Sequence, residues 1–82
     1  MENKEKFKVG DLACYCPLSK DDVLGLVMIV GEEKTEYGKI YKLYWIWIKE
    51  DVDWRGAFIH QFDNFRQNHM RSYYKLCSKG KT

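Results

Sequence analysis

Three cysteines are the residues best suited to chemistry in this chain: Cys14 and Cys16 at alternate positions, and Cys77 close to the end. Together with His60 or His69 they make a set of the kind that holds tetrahedral zinc, and any two of the thiols could form a redox pair. The spacing argues against both. Structural zinc sites draw paired ligands from turns in which the two cysteines stand about two to four residues apart, whereas alternate residues of a strand splay along one face. An odd cysteine count does not make a secreted disulfide framework and fits a reducing cytoplasm. The expectation is three reduced thiols packed as small hydrophobes, with no metal and no cofactor.

His60 and His69 are of the residue type that serves as acid and base. Neither stands with a Ser or Cys whose context marks a nucleophile, and the chain has no phosphate-cradling glycine loop and no zinc-protease motif. Glu50, Asp51 and Asp53 form an acidic cluster in a polar segment, where solvation is the ordinary role. A non-enzymatic protein is expected.

A different constellation combines aromatic and basic side chains: Trp54 with Arg55, Phe65 with Arg66, and Arg71 with Tyr73, Tyr74 and Lys75. Aromatic faces stack on exposed bases while Arg and Lys meet phosphates, and small barrels are a common platform for this. From Phe65 onward there are five basic residues (Arg66, Arg71, Lys75, Lys79, Lys81) and no acidic one, in a chain whose net charge is only +2. Trp54, Arg55, Arg66, Arg71, Tyr73 and Lys75 are therefore the candidate binding residues, with nucleic acid as one possible partner. The competing account makes half of these aromatics core and the basic end a solvated edge.

The elements that must carry these groups can be read from apolar spacing. Eighty-two residues suit one domain, and an aromatic content of 16% helps a short chain build a sufficient core. Residues 1–6 are expected to be a polar arm without the apolar core of a secretory leader, residues 7–78 the domain, and residues 79–82 a tail. No apolar run approaches the roughly 18–20 residues of a membrane span, so no membrane partner is expected.

Tyr41 to Ile48, rich in aromatic and β-branched residues, reads as the central strand. Its alternation puts Tyr41, Leu43, Trp45 and Trp47 on one face and Tyr44, Ile46 and Ile48 on the other. A barrel buries only one such set. The surplus must lie under a loop, under the Phe58, Phe62 and Phe65 segment, or against another protein chain, as a homodimer or a bound partner.

Around this strand, Phe7 to Cys16 alternates as a first strand with a turn or bulge at Gly10-Asp11, and Pro17 ends it. Val23 to Val30 reads as a buried strand in which Gly25 allows close backbone approach. Tyr37-Gly38 marks a hairpin turn, and Lys49 to Gly56 a loop anchored by Val52 and Trp54. A short strand near Ala57 to Gln61, a helical turn over Asp63 to Asn68 and a closing strand from Ser72 to Ser78 complete the chain. One continuous helix with Phe58, Phe62, Phe65 and His69 along one face is the alternative for the stretch before that closing strand.

Lys8-Val9-Gly10-Asp11-Leu12, Leu24-Gly25-Leu26-Val27-Met28-Ile29-Val30, Tyr41-Lys42-Leu43-Tyr44-Trp45-Ile46 and Tyr74-Lys75-Leu76-Cys77-Ser78 together resemble the small SH3-like barrels found in tailed bacteriophages, with similar spacing in Tudor-like and KOW-like barrels. The resemblance covers most of the chain. It implies an all-β, five-stranded SH3-like barrel with a short helical turn before the last strand, acting in the host cytoplasm as an interaction module for protein or nucleic acid.

Overall fold

The computed structural model describes residues 7–78. The expected arm (residues 1–6) and tail (residues 79–82, with Lys79 and Lys81) lie outside the described residues. Aromatic and β-branched stretches become strands, and the second of them runs past Val30 through Gly31, Glu32 and Glu33 to Thr35. The strands are β1 (Leu12–Tyr15), β2 (Gly25–Thr35), β3 (Gly38–Ile48), β4 (Phe62–Arg66) and β5 (Tyr74–Ser78). Two short helices, α1 (Arg55–Phe58) and α2 (Gln67–Tyr73), precede β4 and β5. All pairings are antiparallel, and the five strands form one sheet in the order β4-β3-β2-β1-β5. This is the expected small all-β plan, with a short helix ahead of the last strand. The sheet curls until its edges approach: Phe65 of β4 and Tyr74 of β5 meet with ring centroids 5.3 Å apart. The helix α2 joins those edges and buries Met70 completely.

Local chemistry moves several boundaries. The first strand starts at Leu12 rather than Phe7, because Gly10 takes a φ of 98° in a turn whose Lys8 amide donates to Asp11 Oδ2 at 2.9 Å. Phe7 is still buried, edge-on to Tyr41. Gly38 (φ 120°) closes the β2–β3 hairpin, where the Thr35 hydroxyl donates to the Gly38 carbonyl at 2.7 Å. The stretch from Ala57 to Asn68 departs from expectation: the helix comes first, at Arg55–Phe58, the strand follows at Phe62–Arg66, and the next helix starts at Gln67. The free edge of β3 decides this. Residues 62–66 satisfy their backbone groups against it, from Tyr44↔Phe62 to Ile40↔Arg66. No single helix covering the whole stretch could do so.

The concave side of the sheet carries Ala13 and Tyr15 of β1, Val27 and Ile29 of β2, and Tyr41, Leu43, Trp45 and Ile48 of β3, facing Met70 and Tyr74. Here the register matters. Leu26 pairs with Trp47 and Val27 with Trp45, so Ile46 is an extra residue in β3. A bulge of this kind shifts the alternation by one. Ile48 therefore turns inward and Trp47 outward, the reverse of the strict alternation expected for Trp47. A second irregularity, at Val30 opposite Leu43 and Lys42, likewise leaves Val30 half-exposed. The expectation that Val23 to Val30 is buried throughout holds only at its inward positions.

Trp45 sits at the centre of the core. Its ring lies within 5.6–6.5 Å of Tyr15, Trp54, Phe58 and Tyr74. A Cβ on Gly25 would stand 2.6 Å from this ring, so the close approach read into Gly25 is real and the partner is an indole. Among the described residues, Trp45 Nε1 and the Tyr74 hydroxyl are buried without a hydrogen-bond partner.

Cys14 and Cys77 form a disulfide between β1 and β5, with Cα atoms 5.9 Å apart across a sequence separation of 63. This corrects the expectation of three reduced thiols. The pairing arises because the β1–β5 register breaks between Leu12 and Ala13, opposite Leu76 and Ser78, which brings Cys77 against Cys14. An odd count conceals one pair, and the ground for expecting a reducing compartment falls with it. Cys16 is free and buried, its Sγ donating to the Cys14 carbonyl at 3.5 Å. Among the described residues no group of three His, Cys, Asp or Glu is placed to hold a metal, and no helix is long and apolar enough to cross a membrane.

Two stability predictions follow from this core. Replacing Cys77 with Ala opens a long covalent loop and should lower stability by about 2–4 kcal/mol, read as a lower urea midpoint. Burial pushes the Tyr74 hydroxyl far above the ordinary phenol value of 10.0, with Tyr15 and then Asp63 adding to the shift. Because the folded state holds this phenol neutral, its contribution is intact below about pH 10 and is lost as pH climbs through the folded value. Tyr74→Phe should therefore unfold at higher pH than the wild type, while at neutral pH, having lost only an unpartnered hydroxyl, its melting temperature should be unchanged or slightly raised.

Candidate functional site: the outward face of the sheet

The convex side of the sheet is built by the residues between the core positions. The registers align Phe62 of β4, Tyr44 of β3, Met28 of β2 and Leu12 of β1 as one row across four strands. A second row runs from Trp47 through Leu26 to Cys14, whose neighbour on β5 is Lys75. Phe62 is 59% exposed, Trp47 43%, Met28 38% and Val30 37%, so an apolar band lies open on this face. Tyr44 tilts against Phe62 at 5.1 Å and stacks with His60 at 6.3 Å. His60 adopts a φ of 60°, and its amide donates to the Trp45 carbonyl at 2.9 Å, which fixes the corner where β4 begins.

Charges mark the two ends of the band. At the hairpin end, Lys42 places its ammonium 5.0 Å from the centre of the Phe62 ring, and a shallow hollow is lined by Gly31, Glu32, Glu33, Ile40, Lys42 and Asn64. Arg66 is the outward neighbour of Ile40 at the same end. At the opposite end a second hollow is formed by Trp47, Lys49, Glu50 and Asp51. The acidic cluster expected to be merely solvated thus borders the apolar band through Glu50 and Asp51.

The six candidate binding residues are not gathered into one site. Trp54 is half-buried in the core among Tyr15, Trp45 and Phe58. Arg55 donates from Nε to the Ile48 carbonyl at 2.9 Å and so ties α1 to the end of β3. Lys75 Nζ donates to the Lys20 carbonyl at 2.6 Å, and Lys20 Nζ returns a bond to the Tyr74 carbonyl at 3.4 Å. Arg71 is exposed on α2; burial raises the pKa of the Tyr41 hydroxyl, opposed chiefly by Lys39 and least by Arg71. Tyr73 stacks on His69 with centroids 5.9 Å apart. Of the six, Arg66 stands beside the apolar band at its hairpin end and Lys75 borders the second row beside Cys14, on opposite edge strands.

The covering role expected for Phe58, Phe62 and Phe65 is divided. Phe58 and Phe65 pack on the core, whereas Phe62 stands on the opposite side of the sheet. The surplus apolar face therefore has no cover within the described residues. The doubled alternation of β3 signalled a surplus, but Met28 and Trp47 could not be placed on it without the bulges.

Arg55→Ala should lower stability by about 1 kcal/mol through the lost bond to Ile48 and the lost packing of its stem. Because this side chain serves the backbone, the outward-face aromatic signals of Tyr44 and Phe62 in a two-dimensional NMR spectrum should not move.

Comparison of the chain with protein-family models, curated proteins and solved structures finds no match.

Proposed function

We propose that this chain is a non-enzymatic interaction module, an SH3-like barrel of the kind found in tailed bacteriophages, whose outward sheet face binds another protein chain. The observation that carries this reading is the open row Leu12, Met28, Tyr44 and Phe62 with Trp47 beside it. Apolar bands of this breadth, rimmed by charge, mark contact surfaces. The strand order, with a helix before the last strand, supports the barrel likeness.

A nucleic-acid platform is the second reading, favoured by Lys42 and Arg66 beside Phe62. It fits the face less well. Tyr44 and Lys42 already engage the Phe62 ring, Leu12, Met28 and Val30 offer no ring to a base, and Lys75 lies on the opposite edge strand from Arg66, tied to the Lys20 carbonyl.

The two readings separate in fluorescence anisotropy of labelled single-stranded and duplex oligonucleotides titrated with the protein at about 50 and about 200 mM salt. No saturable binding is expected at either salt. Saturable binding whose log K falls linearly with log salt would transfer the function to nucleic acid.

A further inference from the structure

We infer that the partner for the outward face is a second copy of this chain, packed sheet against sheet about a twofold axis that lies in the interface and runs across the strands. The inference rests on the protein-contact reading above and specifies its partner.

Area is the first support. Phe62, Trp47, Met28 and Val30, with the partly exposed Tyr44 and Leu12, present on the order of 400 Å² of largely apolar surface. With a charged rim this approaches the roughly 800 Å² per partner of a standard stable interface. Sheets stacked face to face stand about 10 Å apart, a gap that interdigitating side chains of this size fill.

Charge supplies the orientation. One end of the band carries Lys42 and Arg66 with Glu32 and Glu33, and the other carries Glu50 and Asp51 with Lys49. An axis along the strands would lay each end over its own copy and set Lys42 and Arg66 against their equivalents. An axis across the strands lays each end over the opposite end of the partner. Lys42 and Arg66 then face Glu50 and Asp51, Glu33 faces Lys49, and the apolar row meets itself at the centre. The face is self-complementary in that arrangement, and every rim contact is made twice, as an isologous contact requires.

The test is sedimentation equilibrium of the full chain from about 1 μM upward, since a standard interface gives affinities from micromolar to much tighter. A concentration-dependent doubling of mass is expected. Met28→Glu and, separately, Phe62→Glu should give monomers that keep the wild-type circular-dichroism spectrum, because both side chains are exposed. Lys42→Glu or Glu50→Lys alone should weaken the dimer about tenfold, and the two together should restore it. A wild type that stays monomeric at several hundred micromolar overturns the inference, as do a dimer indifferent to Met28→Glu and Phe62→Glu and a double charge reversal that rescues nothing.

Photocrosslinking from p-benzoylphenylalanine in place of Trp47, in lysate containing the wild-type chain, separates the two levels of the argument. An adduct with the chain itself supports the inference. An adduct only with a different protein overturns the second copy but leaves the protein-contact reading, and an adduct only with nucleic acid, or none, overturns both.

Discussion

The packing of the Trp45 indole against the bare backbone of Gly25 is the contact on which the rest of the fold depends. One large ring on the central strand fills the middle of the core, and the neighbouring strand can lie over it only because position 25 carries no Cβ. Around that ring gather Tyr15 from β1, Trp54 and Phe58 from the β3–β4 connection and Tyr74 from β5. Residues distant in the chain are thus fixed by one side chain. This is how a short sequence closes a core: a few aromatic residues, each removing a large area from water, replace the many aliphatic contacts a longer chain would make.

Filling the core from one side leaves the opposite face of the same strands to be accounted for. Two irregularities in the β2–β3 ladder set its composition. The extra Ile46 sends Trp47 outward and Ile48 inward, and the irregularity at Val30 bends β2 where its apolar half gives way to Glu32 and Glu33. The bulge at Ile46 thus serves both faces, because one shift of alternation turns an aliphatic side chain into the core and an aromatic one toward the contact surface. The conspicuous Trp54-Arg55 pair, by contrast, is absorbed by the interior and by the end of β3. Its chemistry is spent on holding α1 in place.

The disulfide and the reciprocal lysine contacts fasten the last strand. Cys77 is joined to Cys14, while Lys75 and Lys20 each donate to a carbonyl of the other's segment, Lys75 to Lys20 itself and Lys20 to Tyr74. These ties act at the β1–β5 junction, where the register is irregular and β5 has no strand on its far side. An edge strand of five residues gains little from its ladder alone, so covalent and charge-assisted ties there are physically reasonable. They also hold the C-terminal side of the sheet beside the outward face, with Lys75 as the neighbour of Cys14.

Much of the fold was legible in the sequence, because alternation and turn chemistry are local. The turns at Gly10 and Gly38, the close approach at Gly25 and the central strand from Tyr41 to Ile48 need only neighbouring residues and a preference for burying apolar surface. Tertiary structure decided the rest. Whether residues 57–66 wind or extend depended on the unfilled edge of β3, and the faces of Trp47 and Ile48 depended on a bulge defined against β2. The union of Cys14 with Cys77 depended on a register break between strands at opposite ends of the chain. The outward face came from the same source. An exposed apolar band is a property of several strands laid side by side, and no single segment contains it.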